Sequence, residues 1–449
     1  CLMKASVIIP TYNRSKIIEL TLASLVGQDI GNDNYEVIVI DDGSSDNTRE
    51  VVESFMDKLN LIYYFQEDKG YRVALARNEG IRRASGEVLI FLDSGMVVGR
   101  SFVRSHYDAH CDKETHQISS RGTVLIGYVY GYNHSNTEEA IPEYINFHDP
   151  DNTLKMLAKT EYYTDIRLRV YKPVSDQIDR LPAPWTLFWT TNVSVGKKLM
   201  LEAGCFDEGY TTWGMEDIEC GYRLFRKGAK FVMSRAACGV HYPHHRESYT
   251  NLISNERNKR RFYQTYRTTE TELYMASDPL RFNRAYEDYL IFQKQLLSYP
   301  RYSDLLTAEG ARTLSEVISG RKNIVFGCQE GYLLEVCGST AALEKDPVLA
   351  KTAQKNHPEV DIQQLVGCRT FFAAKEFEVC LIAGSGWGLP QTFLVGMARE
   401  AERISRKVYW LRTPLDVEVS EICCRQLKDL GNGVTLHEIT TFTKTMPLY

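Results

Sequence analysis

Three short stretches put acids where a chain is about to turn. Asp41-Asp42 stand before Gly43-Ser44, Asp93 stands before Ser94-Gly95, and Glu216-Asp217 follow Trp213-Gly214-Met215. A helix beginning near Glu216 would set both carboxylates against the positive end of its macrodipole and keep them ionised. An ionised Asp in that position can take the proton from an attacking hydroxyl, which is general-base chemistry. Asp41 and Asp42 can accept N–H donors, or simply form the β-turn that Asp-Asp-Gly-Ser favours. Asp93 is a lone acid, with Gly95 two residues after it. Further on, His241, His244 and His245 fall within five residues. No cysteine or carboxylate set at zinc-ligand spacing accompanies them, which argues against a structural zinc site.

The elements that would position these groups alternate between strand and helix. "ASVIIP" is a strand stopped by Pro10, and Ile17, Ile18, Thr21, Leu22 and Leu25 then recur at helical spacing. "YEVIVID" is a second buried strand. Val51, Val52, Phe55, Met56 and Leu59 mark the next helix, with Asp46 to Thr48 available to cap it. "LIYYFQE" reads as a strand, "ALARNEGIRRAS" as a helix and "EVLIFLD" as a fourth strand. Such alternation implies a parallel sheet, whose ligands bind beyond the carboxyl ends of the strands. Those ends carry Pro10 to Arg14, Asp41-Asp42 and Asp93, so polar groups from separate strands converge on one edge. Around Glu216, Ile218, Tyr222 and Phe225 share one helical face, and Gly228 stops that helix.

There is no GxGxxG after the first strand and no GxxxxGK[ST]. The ordered set "VIIPTYNR", "VIVIDDGSSDNT", "GYRVALARNEGI" and "GEVLIFLDSG" instead resembles the nucleotide-binding half of glycosyltransferase family 2. "TLFWTTNVSVGKKLMLEAGCFDEGYTTWGMEDIECGYRLFRKGAKF", residues 186 to 231, is similar to the acceptor-side segment of its chondroitin-polymerase-like and galactosyltransferase-like members, with Trp213 to Asp217 as their WGxED signature. The resemblance implies a GT-A fold, a mixed sheet flanked by helices, and inverting transfer of a sugar from a UDP-sugar. It assigns Pro10, Tyr12, Arg14, Asp41, Asp42, Arg77 and Asp93 to the donor. Trp213 and Glu216 go to the acceptor, and Asp217 becomes the base. A tyrosine ring can cover a base, a carboxylate can accept the uracil imide proton, and guanidinium groups suit diphosphate oxygens. Trp185 and Trp189 could also offer a flat face to a sugar.

In that family a divalent cation, Mn²⁺ or Mg²⁺, bridges the diphosphate, and here its protein ligands would be Asp93 and His241. With Gly95 in the second acid's place, three readings follow: a weak metal site, a metal-independent enzyme, or a domain that binds without catalysis. In the second, Arg246, Lys259, Arg260 and Arg261 would neutralise the leaving UDP, although such charge runs are usually a solvated helix face. The acceptor could be a glycan, a peptide or a small natural product.

The rest of the chain bounds these expectations. With 449 residues, 43% of them hydrophobic and 25% charged, it has the balance of a globular protein. A net charge of −5 argues against a nucleic-acid partner. No apolar run reaches membrane-spanning length. Eleven cysteines without a CxxC pair read as reduced thiols, so the expected location is the cytoplasm, with peripheral membrane attachment as the alternative. The expected domains are residues 1–250 (GT-A), 251–319 (a helical, tyrosine-rich connector) and 320–449, where strand-helix alternation restarts. This last part loosely resembles a methyltransferase-type Rossmann domain: Gly327 and Gly331 follow its first strand, Glu344 and Asp346 end its second, where an acid of that family binds the ribose of S-adenosylmethionine, and Trp387 would line the crevice. "FGCQEGY" lacks the usual glycine density, so a degenerate, structural or partner-docking version is expected rather than an active methyltransferase.

Overall fold

A computed structural model describes residues 3–112, 114–115, 117–119, 122–132, 141–161, 163–244, 248–384, 388–416 and 418–442. His245, Arg246 and Trp387 lie outside these residues. The chain forms two compact units, Cys1–Lys259 and Arg260–Tyr449.

In the first unit, β1 (Ala5–Thr11), β2 (Tyr35–Asp41), β3 (Leu61–Phe65) and β4 (Val88–Leu92) pair in parallel. β1, β2 and β4 are near-continuous apolar runs because helices cover both faces of a sheet of this kind. Val7, Ile9, Val37, Val39 and Ile90 pack with Ile18, Leu22 and Leu25 of the helix Ser15–Leu25. The sheet then continues through β5 (Met96–Val98), β6 (Thr123–Tyr130), β7 (Asn192–Gly196) and β8 (Lys230–His241), in the order β3-β2-β1-β4-β7-β6-β8-β5. β7 runs antiparallel to β4 and β6, and β5 antiparallel to β8, so the sheet is mixed. Two pairings matter for chemistry. Thr11 lies level with Asp41, and Met96 lies opposite His241. The strand ends carrying Tyr12, Asp42, Asp93 and His241 therefore open on one edge.

In the second unit the sheet order is β11-β10-β9-β12-β13-β15-β14. β9 (Asn323–Phe326), β10 (Ala341–Leu343), β11 (Asp361–Gln363), β12 (Phe377–Ala383) and β13 (Ser405–Arg412) are parallel; β15 (Thr435–Phe442) is antiparallel to both β13 and β14 (Ile422–Asp429). This is the expected Rossmann-like α/β sheet. The acids at its presumed cofactor edge are already used by the chain itself. Glu344 accepts the backbone N–H groups of Gln329 (2.7 Å) and Asp346 (3.1 Å). Asp346 caps the helix Pro347–Asn356 through Val348 and Leu349. Fully buried Tyr302 accepts a hydrogen bond from Gly384 N–H at the end of β12, and Gln329 bridges to Pro300 and Tyr302. The segment entering this unit thus fills the crevice.

Candidate active site

Beyond β4, Asp93 has 35% of its side chain exposed, and one carboxylate oxygen accepts the Thr191 hydroxyl at 3.0 Å. Its other oxygen faces the Arg77 guanidinium at 3.4 Å. Arg77, from the helix Val73–Arg83, also donates to Glu216 at 3.0 Å and lies over the Phe206 ring. Both partners of the Arg77–Glu216 pair are buried, with side chains 5% and 6% exposed. Burial works against the Arg77 charge, but Glu216 and Asp93 outweigh it and hold the guanidinium protonated above its ordinary range. One basic side chain therefore pins an acid from each half of the motif set. The remaining Glu216 oxygen has no hydrogen-bond partner among the described residues.

Asp217 is next in the helix Glu216–Arg226. One of its oxygens accepts the Ile218 N–H at 2.7 Å, and part of its surface stays open. The helix N-terminus alone would keep it ionised. Burial, followed by the Glu216 charge, instead raises its pKa to about 7, against the opposing pull of Arg77 and the Ile218 N–H. The expectation of a simply ionised acid is corrected accordingly: desolvation and a like charge outweigh the dipole. Gly228, left-handed at φ +81°, lies one residue past the C-cap Lys227.

The WGM turn is held from behind. Gly214 and Met215 are left-handed (φ +94° and +77°), and a β-carbon at 214 would press on Asn255. Buried Asn258 donates its side-chain amide to the carbonyls of Thr212, Trp213 and Gly214 at 3.1, 3.3 and 2.8 Å, and accepts from the Thr212 hydroxyl. Trp213 is left 36% exposed. Trp185, in contrast, is fully buried against Tyr222, so it offers no face to a ligand; Trp189 is half-buried.

On the other side of the edge, Asp41 and Asp42 separate in function. Asp41 is spent on the turn, accepting Gly43 N–H, Ser44 N–H and the Tyr63 hydroxyl. Asp42 receives Gln66, the Arg72 backbone N–H (3.1 Å) and the Arg72 guanidinium (3.2 Å). Tyr12 is 46% exposed and donates to Asp68, while Pro10 is half-buried in β1. Arg14 reaches His244 at 2.9 Å, and the His244 ring lies 5.2 Å from that of His241. His241 is buried, edge-on to Tyr132. Lys259 is buried and paired with Glu256, so it is not a free cation at this edge.

No group of three His, Cys, Asp or Glu side chains converges as a metal site among the described residues. Asp93 and His241 are donors of the kind Mn²⁺ accepts, and two protein ligands suffice where phosphate and water complete the shell. Gly95 has a backbone reason: its φ is +107°, its N–H donates to Thr21, and a β-carbon would meet the Ile17 methyl at 3.0 Å. Side chains rarely adopt that conformation, so an acid there would be strained.

The chain is 33% identical over 409 residues to the validoxylamine A glucosyltransferase of Streptomyces hygroscopicus subsp. jinggangensis (strain 5008), covering 90% of this chain and 96% of that one. Residues 6–162 match the family model "Glycosyl transferase family 2". The chain belongs to glycosyltransferase family 2. This glycosyltransferase is also 35% identical to the chondroitin synthase of Escherichia coli, over 53% of its own length and 34% of that protein. Among solved structures it aligns with GalNAc-T7 with UDP, GalNAc and Mn²⁺ at TM-score 0.42 and 18% identity, over 64% of this chain and 51% of that one. Two residues of the glycosyltransferase's edge carried no sequence signal of their own: Thr191 and Asn258 act through contacts distant in sequence, whereas Arg72 is the arginine of the GYR motif. Tyr71 was within reach of the GYR motif. It is 39% exposed, yet burial of its phenol and the charges of Glu216, Asp93 and Asp217 raise its pKa well above the ordinary value, with Arg77 opposing. No described helix is long and apolar enough to cross a membrane.

Proposed function

We propose that this glycosyltransferase moves a sugar from a UDP-sugar to a hydroxyl of a small polyhydroxylated acceptor, with inversion and with Asp217 as the general base. The observation that carries this is the placement of Asp217: a partly open carboxyl at the start of its helix, next to Glu216 of the buried Arg77–Glu216 pair and four residues after an exposed tryptophan, with burial and the Glu216 charge raising its pKa. A base is most effective when its pKa lies near the working pH. In the step itself, the acceptor oxygen bonds to the anomeric carbon as its proton passes to an Asp217 oxygen. On the opposite face, the bond from that carbon to the UDP β-phosphate oxygen breaks, and UDP leaves with the electron pair. Arg77 limits the rise in the Asp217 pKa, so a useful fraction is ionised at neutral pH. Glu216 and Trp213 orient the acceptor.

Asp42 and Tyr12 are the side chains we assign to the uracil base, Pro10 shapes its slot, and Arg14 lies toward the phosphates. Asp41 supports this site by holding the turn. A divalent cation held by Asp93 and His241 would supply charge neutralisation for the leaving diphosphate. The small acceptor is supported by the extent of similarity: the likeness to the validoxylamine A glucosyltransferase runs through both units, whereas the likeness to chondroitin synthase covers 53% of the chain. The cytoplasm is the compartment in keeping with the ten free cysteines described.

The test is UDP release from a panel of UDP-sugars with cyclitol and oligosaccharide acceptors, with Mn²⁺ and with EDTA. Asp217→Asn should abolish transfer and spare UDP binding, and the wild-type rate should rise with pH through about 7 as Asp217 loses its proton. Equal transfer by Asp217→Asn would remove it as the base. Gly95 favours one second reading, a nucleotide-sugar-binding module without turnover, for which no donor would release UDP although UDP binds. A methyltransferase activity is not favoured, because Glu344 is already satisfied by backbone N–H groups.

A further inference from the structure

The second unit contains a cavity of about 660 Å³, within the usual range for small-molecule sites. Its floor is one face of the helix Phe282–Gln295, where Tyr286, Tyr289 and Gln293 fall at helical spacing. Gln363 and Gln364, at the end of β11, form one wall; Arg267, before the helix Thr269–Met275, and Phe371 form others.

Three features argue that this is a built site. The first is its amides: the Gln293 and Gln364 side chains make no hydrogen bond to any described residue, and Gln363 uses only its amide N–H, toward Asp361. The second is an exposed ring held rigid. Phe371 is 40% exposed, stacked on Tyr263 at 4.8 Å on one side, with the Arg267 guanidinium 4.5 Å from its centroid. The third is the anchoring of the walls. Buried Glu272, in the helix Thr269–Met275, accepts the backbone N–H groups of Val366, Gly367, Cys368 and Arg369 at 2.8–3.4 Å, fixing that helix to the loop before Phe371. A Thr268–Thr271 capping box holds the turn beside Arg267.

We infer that this cavity binds a neutral saccharide or cyclitol. Unpaired amides offer both donors and acceptors to ring hydroxyls, and the exposed Phe371 ring suits the C–H side of such a ligand, whereas Tyr286 and Tyr289 are buried beneath it. Arg267 and Glu270 are the charged residues of the lining and cancel in sign, which disfavours a phosphate or nucleotide. The inference does not rest on Asp217 or on transfer: it concerns a site formed within the second unit.

The full-length protein is titrated with cellobiose and with myo-inositol by saturation-transfer NMR and calorimetry, with adenosine and inorganic phosphate as probes of the competing classes. Binding of cellobiose or myo-inositol at a millimolar Kd is expected. It should weaken at least tenfold in Gln293→Ala/Gln364→Ala and in Phe371→Ala. The glutamine pair is partly or fully exposed, so its variant folds even if Phe371→Ala does not. No binding of either polyol at about 10 mM, tenfold above a millimolar Kd, overturns the inference. So does binding that only Trp213→Ala removes, or preferential binding of adenosine or phosphate at the cavity.

Discussion

Replacing Arg77 with Met should separate the structural and chemical parts of the acid cluster. The change keeps an unbranched apolar stem but removes the charged guanidinium that Glu216 meets at 3.0 Å and Asp93 at 3.4 Å. Glu216 has 6% of its side chain exposed and one oxygen already without a partner, so it would be left as a buried, unpaired carboxylate. Breaking a buried pair in this way costs about 3–5 kcal/mol. In a unit of this size each kcal/mol lowers Tm by about 2–4 °C, so the melting point should fall by about 6–20 °C. Adding Glu216→Gln should restore much of that loss, because the stranded charge is gone. The pH profile gives an independent reading. Arg77 pulls the Asp217 pKa down, so in Arg77→Met the rising limb of UDP release moves to higher pH than the wild type's limb near 7. Thermal melts of the single and double variants, with pH–rate profiles, decide the matter. Equal destabilisation of Arg77→Met and Arg77→Met/Glu216→Gln would refute the stranded-charge account, and an unmoved limb would refute the coupling to Asp217.

Gly95→Asp should not create a stronger metal site: strain at φ +107° costs about 1–2 kcal/mol, seen as a lower Tm with unchanged Mn²⁺ dependence of turnover. Asn258→Ala should cost about 1 kcal/mol by removing its hydrogen bonds to the half-buried carbonyls around the WGM turn, and should lower kcat/KM while the pH limb stays in place, since Asn258 positions the turn and carries no charge. Buried His106 and His110 share the Ser194 hydroxyl, and His106 also meets Asn192. Burial lowers their pKa values from 6.5 to about 3 and about 4, so the folded state holds them neutral and their stabilisation is lost as pH falls from 6.5 through those values. Each should contribute about 1.4 kcal/mol per pH unit to acid destabilisation in that window, and chemical denaturation of a His106→Gln/His110→Gln variant should show a correspondingly shallower pH slope.

Much of the fold follows from local pattern. Continuous apolar runs ending in Pro10, Asp41 and Leu92 had to be buried parallel strands, and acids directly after them had to gather at one edge. Among the strands that pattern left unread, β11 and β14 are short or half-exposed, whereas β6 is eight residues long and almost wholly buried. β11 is three residues of mixed polarity, and β14 alternates too weakly for an edge strand to declare itself. In the site, sequence by itself determined which residues lie at strand ends and helix starts: Tyr12, Asp42, Asp93, Glu216 and Asp217. It could not determine their electrostatic state. That required Arg77 to meet Glu216, 139 residues along the chain, in a buried pair; burial and the Glu216 charge raise the Asp217 pKa, and Arg77 holds that rise in check. Nor could it tell that Asp41 is consumed by its own turn, that Trp185 is core while Trp213 is surface, or that the amide of Asn258 holds the motif. A motif fixes chemistry's raw materials through bonds to its neighbours, but burial and long-range charge exist only once distant segments share a volume.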